Sequence, residues 1–321
     1  MRLDVTAEKN EITSAQEEVA WPLVTVNILA FNRRDEVRIT LDKIINAVDY
    51  PQESLEIIVV DNCSNDGTKE MVAREFPQVK LIVNEANTGI AGWNKGFEAG
   101  TGAYFLVLDD DSAPEAGLRE AIRYMEQHEK VGILACNIIG GAFTPRDWKL
   151  EHKQSWVGFI GCGAIIKREV VEAVGGYADW MFVYAHEWDY GLRCLDKNFD
   201  IAYFADCVVR HRASTVNRTS KRLITYSLRN ELLIIYKHFP ERRMLFLLRA
   251  LCNNALLYRK GGIKSFVYLA SGVGQFLRET LRQERTCVKR EVQEVYANNF
   301  WSAQPVLPRL FHKLAGSLRN E

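Results

Sequence analysis

The chain has 321 residues, 47% hydrophobic and 26% charged, room for one large domain or two smaller ones and a composition that excludes disordered, collagen-like and coiled-coil classes. Its net charge of zero joins unlike parts: residues 210–321 hold 21 Lys and Arg against 7 Glu, and residues 1–209 hold 20 against 34 acids. The longest uncharged run, Val131 to Pro145, has fifteen residues, short of the roughly 20 a membrane-spanning helix needs.

Residues 1–20 read as a polar lead without the apolar core of a secretory signal, and seven cysteines, never spaced Cys-x-x-Cys, suit reduced thiols in the cytoplasm. From Pro22 to Ala30 a β-branched run predicts a buried strand, and Val37, Ile39, Leu41, Ile44 and Ile45 give the apolar face of a following helix. Next come a strand at 55–60, the turn-rich DNCSNDGT, an amphipathic helix and a short strand at 80–84. NTGIAGWNKGFEAG predicts a Gly-punctuated helix, and the strand at 103–108 runs into Asp109-Asp110-Asp111. Strands alternating with helices imply βαβ units and a mostly parallel sheet, with ligands beyond the carboxyl ends of its strands. Phe31-Asn32-Arg33, Asp61-Asn62 and the Asp triplet each end a strand, so all three are expected on one rim. Gly140-Gly141 and the polar run to Gln154 predict a mobile loop, and the strand-like 201–209 precedes His211. Beyond residue 218 three helices are expected, Leu223–Phe239, Arg242–Tyr258 and Ser265–Arg282, broken at Gly261-Gly262.

Three features offer chemistry. An acidic triplet is ordinarily a solvated loop, but one directly after a buried strand has mutual repulsion to offset, and Mg²⁺ or Mn²⁺ with phosphate oxygens does so. His186-Glu187-Trp188-Asp189 opens a helix, where the dipole favours acids without any catalysis, yet the aromatic run before it supplies the apolar wall that suits a general base. His211 alone reads as a structural or exposed residue more readily than as a ligand.

In order along the chain, VTVNILAFNRR, Val59 to Thr68 (VVDNCSNDGT), Asn87 to Gly96, the Asp109/Asp111 pair, Gly161-Cys162-Gly163-Ala164 through Gly175-Gly176-Tyr177, and His186 to Arg193 together resemble the inverting glycosyltransferases of family two. The resemblance covers roughly residues 22–240. It implies an α/β fold of the GT-A type, a Rossmann-like mixed sheet over residues 21–217, followed by a basic helical region over 218–321. It further implies a donor site of Phe31, Arg33, Asp61, Gly89, Asn94, Asp109 and Asp110, with packing and turn roles equally open for Gly89 and Asn94. The metal site implied is Asp109, Asp111 and His211, holding Mg²⁺ or Mn²⁺. Glu187 is the implied base, with Asp189 as the alternative, and Trp156, Gly163, His186 and Trp188 fall on the acceptor side. The implied donor is a nucleoside-diphosphate sugar of UDP or dTDP type, and the acceptor a glycan or lipid-linked hydroxyl in cell-surface polysaccharide assembly. The Asp189 to Arg193 run resembles that of rhamnosyl- and galactofuranosyltransferases.

The basic third, with aromatics such as Phe266, Tyr268, Phe300 and Trp301, suits either packing on the catalytic domain or peripheral docking on an anionic membrane at its inner face. Nucleic acid is not expected. Two alternatives stay open at this point: a haloacid-dehalogenase-type phosphatase using Asp109 and Asp111, and a non-catalytic nucleotide- or lipid-binding module.

Overall fold

A computed structural model describes residues 20–140, 158–212 and 219–302. The loop expected from Gly140-Gly141 to Gln154, past Gly140 itself, and Trp156 just beyond it lie outside the described residues. The first half contains β1 (Val24–Ala30), α1 (Arg34–Ala47), β2 (Leu55–Asp61), α2 (Thr68–Glu75), β3 (Lys80–Val83), α3 (Trp93–Ala99), β4 (Tyr104–Asp109), β5 (Ser112–Ala116), α4 (Leu118–Gln127) and β6 (Val131–Ile139). There follow β7 (Ala164–Lys167), α5 (Arg168–Val174), α6 (His186–Asp196), β8 (Asp200–His211), α7 (Ser220–His238), α8 (Arg243–Tyr258), α9 (Gly262–Thr280) and α10 (Arg290–Ser302).

One eight-stranded sheet runs in the order β3-β2-β1-β4-β7-β6-β8-β5. Six strands share a direction, and β7 and β5 run against them. The sheet is therefore mixed, and β5, β6 and β7 are strands that the sequence reading did not separate. Register fixes the rim: Ala30 lies opposite Asp61, and Leu29 opposite Asp109. Because β8 runs parallel to β6, it delivers His211 to the same edge, paired with Ser112 just after the triplet.

The sheet is covered on both faces, which is why β1, β2 and β4 read as continuous apolar runs. On one face α1, α2 and α4 bury Val37, Leu41, Ile44, Met71, Leu118 and Ile122. On the other, α3 and α6 share one apolar core with α7, where Phe97, Phe105, Tyr190, Leu228 and Leu232 meet. The glycine punctuation of α3 serves that packing: a Cβ at Gly96 would stand 1.9 Å from Asn27 Oδ1, whose amide Nδ2 donates to the Trp93 carbonyl at 2.9 Å. The C-terminal helices are built onto the sheet through this core, α7 against α8 and α9, and α10 against α6.

Candidate active site

At the carboxyl edge of β1, β2, β4 and β8 the chain leaves its strands through tight turns. Asn32 and Cys63, directly beyond β1 and β2, have positive φ (52° and 70°), as do Tyr184 and Ala185 (69° and 61°) immediately before α6. Non-glycine residues adopt this region only where their surroundings enforce it. Here Asn32 is tied at both ends, its N–H donating to Ser64 Oγ at 2.9 Å and its Oδ1 accepting from Asn65 N–H at 2.8 Å. Between these turns lies a cavity of about 630 Å³, lined on one wall by Phe31, Asn62, Asp109 and His211 and on the other by Phe182 to Glu187.

The triplet concentrates negative charge at the cavity floor. Arg33 binds both Asp110 Oδ1 at 2.8 Å and Asp111 Oδ2 at 3.1 Å. From behind, Thr40 Oγ1 donates to the Asp110 carbonyl at 2.8 Å and Arg212 N–H to the Asp111 carbonyl at 2.9 Å. His211 Nε2 stands 3.1 Å from Asp111 Oδ1 and 3.7 Å from Asp109 Oδ2. Burial, and next the Asp111 charge, push the Asp109 carboxyl up from its ordinary value; burial pushes Asp110 up to about 7, with Arg33 opposing. Ligand atoms of Asp109, Cys162 and His211 all lie within 4.8 Å of one another. An oxygen, a sulfur and a nitrogen donor converging beside crowded carboxylates fit a divalent cation, which would return those carboxylates to their charged form.

Glu187 projects from the first turn of α6 into the same cavity. Its Oε1 accepts from the Gly161 N–H at 3.2 Å, and its Oε2 lies 3.3 Å from His186 Nδ1. A side chain at Gly161 would collide with His186, the Cβ falling 2.6 Å from Nε2. His186 is itself set by the Trp93 and Tyr177 rings, at centroid distances of 5.7 and 5.1 Å. Gly161 thus touches the carboxylate, and the next residue, Cys162, belongs to the acid and histidine cluster. Burial pushes the Cys162 thiol well up, with the charges of Asp109, Asp111 and Glu187 adding to it.

The structure brings Phe31, Arg33, Gly89, Asp109, Asp110, His186, Glu187 and His211 onto the cavity wall. Other residues singled out from the sequence sit elsewhere. Asp189 is buried and faces away: its Oδ1 is 2.8 Å from His238 Nε2 and its Oδ2 accepts from Arg193 Nε at 2.9 Å. Against the cost of burial, Arg193 and the His238 hydrogen bond hold this carboxyl well below the usual carboxylate range. Asn94 clamps the Tyr177 backbone with hydrogen bonds of 2.8 Å each way. Gly163 lies under β8, where a Cβ would meet Ile138 Cδ1 at 2.3 Å, and Trp188 packs edge-on against Tyr296 of α10. Asp61 is fully buried behind the wall; its Oδ2 accepts from Ser64 N–H at 3.1 Å, while Oδ1 has no hydrogen-bond partner among the described residues. Asp111 is fully buried and does not line the cavity, but its Oδ1 stays 3.1 Å from His211 Nε2. Sequence reasoning missed Cys162 as a member of the cluster, the Asn62–Asn87–Gly89 hydrogen-bond network (2.9–3.0 Å), and Arg222 of α7, which stacks on Phe182 at 5.1 Å. No local signal marks Cys162; only the sheet joins it to Asp109.

Known proteins resemble this chain in sequence and in fold. The profile described as Glycosyl transferase family 2 matches residues 25–189. The probable glycosyltransferase YdaM of Bacillus subtilis is 25% identical over 228 residues, 62% of this chain and 53% of the relative. The chain spans between about a third and about half of the length of the curated relatives it first matches. Among solved structures, Staphylococcus aureus TarS 1–349 superposes with TM-score 0.58 at 15% identity over 80% of each chain. The mannosyltransferase PcManGT from Pyrobaculum calidifontis, in complex with GDP-Man and Mn²⁺, gives TM-score 0.56 at 19% identity over 91% and 84%. The fold is GT-A.

Proposed function

The chain belongs to glycosyl transferase family 2, and on that premise we propose that it transfers a sugar, with inversion, from a nucleoside-diphosphate donor to a hydroxyl of a glycan or lipid-linked acceptor in cell-surface polysaccharide assembly. The observation that carries this reading is the adjacency of Gly161 and Cys162: one holds Glu187, the other meets Asp109 and His211, so a base and a diphosphate site face one cavity.

Asp109, Cys162 and His211 would hold a divalent cation, with Asp111 Oδ1 3.1 Å from His211 Nε2 and Asp110 on the same cavity wall. A cation held there would supply positive charge to offset the negative charge of the departing diphosphate. Asp61 Oδ1, a buried acceptor short of a donor, suits a nucleobase N–H, and Phe31 offers its ring as a flank for the base. Arg222 adds positive charge on the opposite wall. Glu187 takes the proton from the acceptor hydroxyl as its oxygen attacks the anomeric carbon; a single displacement from the side opposite the diphosphate inverts the configuration. The Gly161 N–H fixes Glu187 Oε1, and His186 Nδ1 lies 3.3 Å from Oε2. His186 and the Phe182–Ala185 turn form the acceptor side. Donors of UDP or dTDP type fit the reading, as TarS has been solved with UDP-GlcNAc. A rhamnosyl or galactofuranosyl donor rests on the Asp189 to Arg193 run, in which Asp189 and Tyr190 are buried.

The test is a panel of nucleotide sugars followed by nucleoside diphosphate release, with and without acceptor and divalent cation. Cation-dependent release coupled to a product of inverted anomeric configuration is expected. No release and no nucleotide binding from any donor would contradict the proposal.

A further inference from the structure

Among the described residues, nine of the twelve large apolar side chains left exposed fall between 244 and 281. On α9, Ile263, Phe266, Val267 and Leu277, with Leu281 just beyond, recur at helical spacing on the side opposite Ser265, Leu269, Gly272 and Phe276, which are buried. That buried side meets α7: a Cβ at Gly272 would lie 2.8 Å from the Thr225 carbonyl. On α8, Met244, Leu245, Leu248 and Leu257 are likewise exposed. Ile263 and Leu281 are 78% and 88% exposed, so these are not side chains half-covered by neighbours. Residues 242–282 also carry eight Lys and Arg against one acid, Glu279.

Exposed apolar surface of this extent marks a contact surface, and charge decides its partner. A second copy docking through the same face would set the cations of one chain against those of the other, with Glu279 the one acid in the segment to pair them. An anionic bilayer supplies both an apolar layer for the leucines and phenylalanine and negative headgroups for the lysines and arginines. Among the described residues no helix is long and apolar enough to cross a membrane, so the helices would lie on its surface.

We propose that the α8–α9 face docks on anionic lipid. The consequence for substrate rests on the transferase reading: Ser220, Arg222 and Leu223 at the start of α7 line the cavity while the rest of α7 packs on α9. A lipid-linked acceptor can then keep its lipid in the bilayer while its hydroxyl reaches Glu187.

The experiment is flotation of the full chain with vesicles of phosphatidylcholine alone or mixed with phosphatidylglycerol, at rising salt, with nucleoside diphosphate binding measured on the same protein. Binding only to the mixed vesicles, weakened by salt, is expected. Phe266→Asp with Leu277→Asp should cut partitioning by about tenfold or more, and Lys260→Glu with Lys264→Glu should reduce it comparably. All four are surface positions, and retained nucleotide binding shows that the variants fold. No flotation, equal flotation on neutral vesicles, or binding unchanged in both variants would overturn the docking face. So would a wild-type dimer that ignores vesicles and that Phe266→Asp separates in light scattering. A wild-type chain that binds nucleotide but no vesicle overturns the docking face alone; one that binds mixed vesicles but no nucleotide overturns the transferase reading alone.

Discussion

At the carboxyl edge of β1, β4 and β8 the molecule buries charge, packing Asp110, Asp111 and His211 beneath the cavity, whereas on α8 and α9 it leaves leucines, a phenylalanine and isoleucine in water. Both arrangements are unfavourable for the isolated chain: carboxylates lose hydration and repel one another, and apolar surface stays wet. The buried Asp189, by contrast, has Arg193 and His238 as full partners and lies off the cavity. The lesson is that an imbalance marks a place for a ligand, and a balanced buried pair marks structure.

This contrast can be broken by substitution, and the largest effect belongs to the rim. Asp109→Asn is expected to lower turnover by about 10²–10³-fold, with cation-supported nucleotide binding falling in titration calorimetry; unchanged binding would remove the rim from the donor site. Asp189→Ala should instead cost stability, about 3 kcal/mol in a denaturant midpoint, with nucleotide affinity kept; a purely kinetic defect would reverse the distinction between imbalance and balance.

A smaller effect sharpens the comparison within the helices. Glu231 of α7 is buried, accepts one hydrogen bond from Asn254 Nδ2 at 2.7 Å, and burial pushes its carboxyl up to about 8. The folded chain keeps a proton that the unfolded chain releases above its ordinary carboxylate value. Stability should therefore fall as pH rises from about 5 to 8, and Glu231→Gln should flatten that slope, leaving the variant more stable at pH 9 by on the order of 2 kcal/mol. Thermal melts across pH check it. The smallest effect concerns Cys162, whose sulfur favours softer ions. Cys162→Ser should move the preference of nucleotide binding from Mn²⁺ toward Mg²⁺ by about tenfold, measured by competition.

Much of this was legible in the sequence where side-chain pattern alone decides structure. The β-branched runs of β1, β2 and β4 and the apolar periodicity of α7, α8 and α9 appear within a residue or a few of their places. β5 and β7 escaped because they have five and four residues, the former with Pro114 and Glu115 inside it, and β6 is a mostly apolar run, interrupted at Asn137, without alternation. Asp109, Glu187 and His211 were legible from strand ends and motif order. The sequence around Asn94 suits packing and ligand contact equally, and Gly163 carries a motif whose local duty is close approach, which no spacing reveals. Phe266 is exposed as anticipated, but Tyr268 is half-buried against the core, and the side chains of Phe300 and Trp301 lie outside the described residues.

The central claim is that one cavity holds a diphosphate site on its acid and histidine wall and a base at Glu187. Glu187→Gln keeps the shape and the Gly161 contact while removing the base. Nucleoside diphosphate affinity with Mn²⁺ should stay within about twofold of wild type, while transfer to acceptor should fall by about 10²–10⁴-fold. Transfer at the wild-type rate, or affinity that collapses along with turnover, would contradict the account.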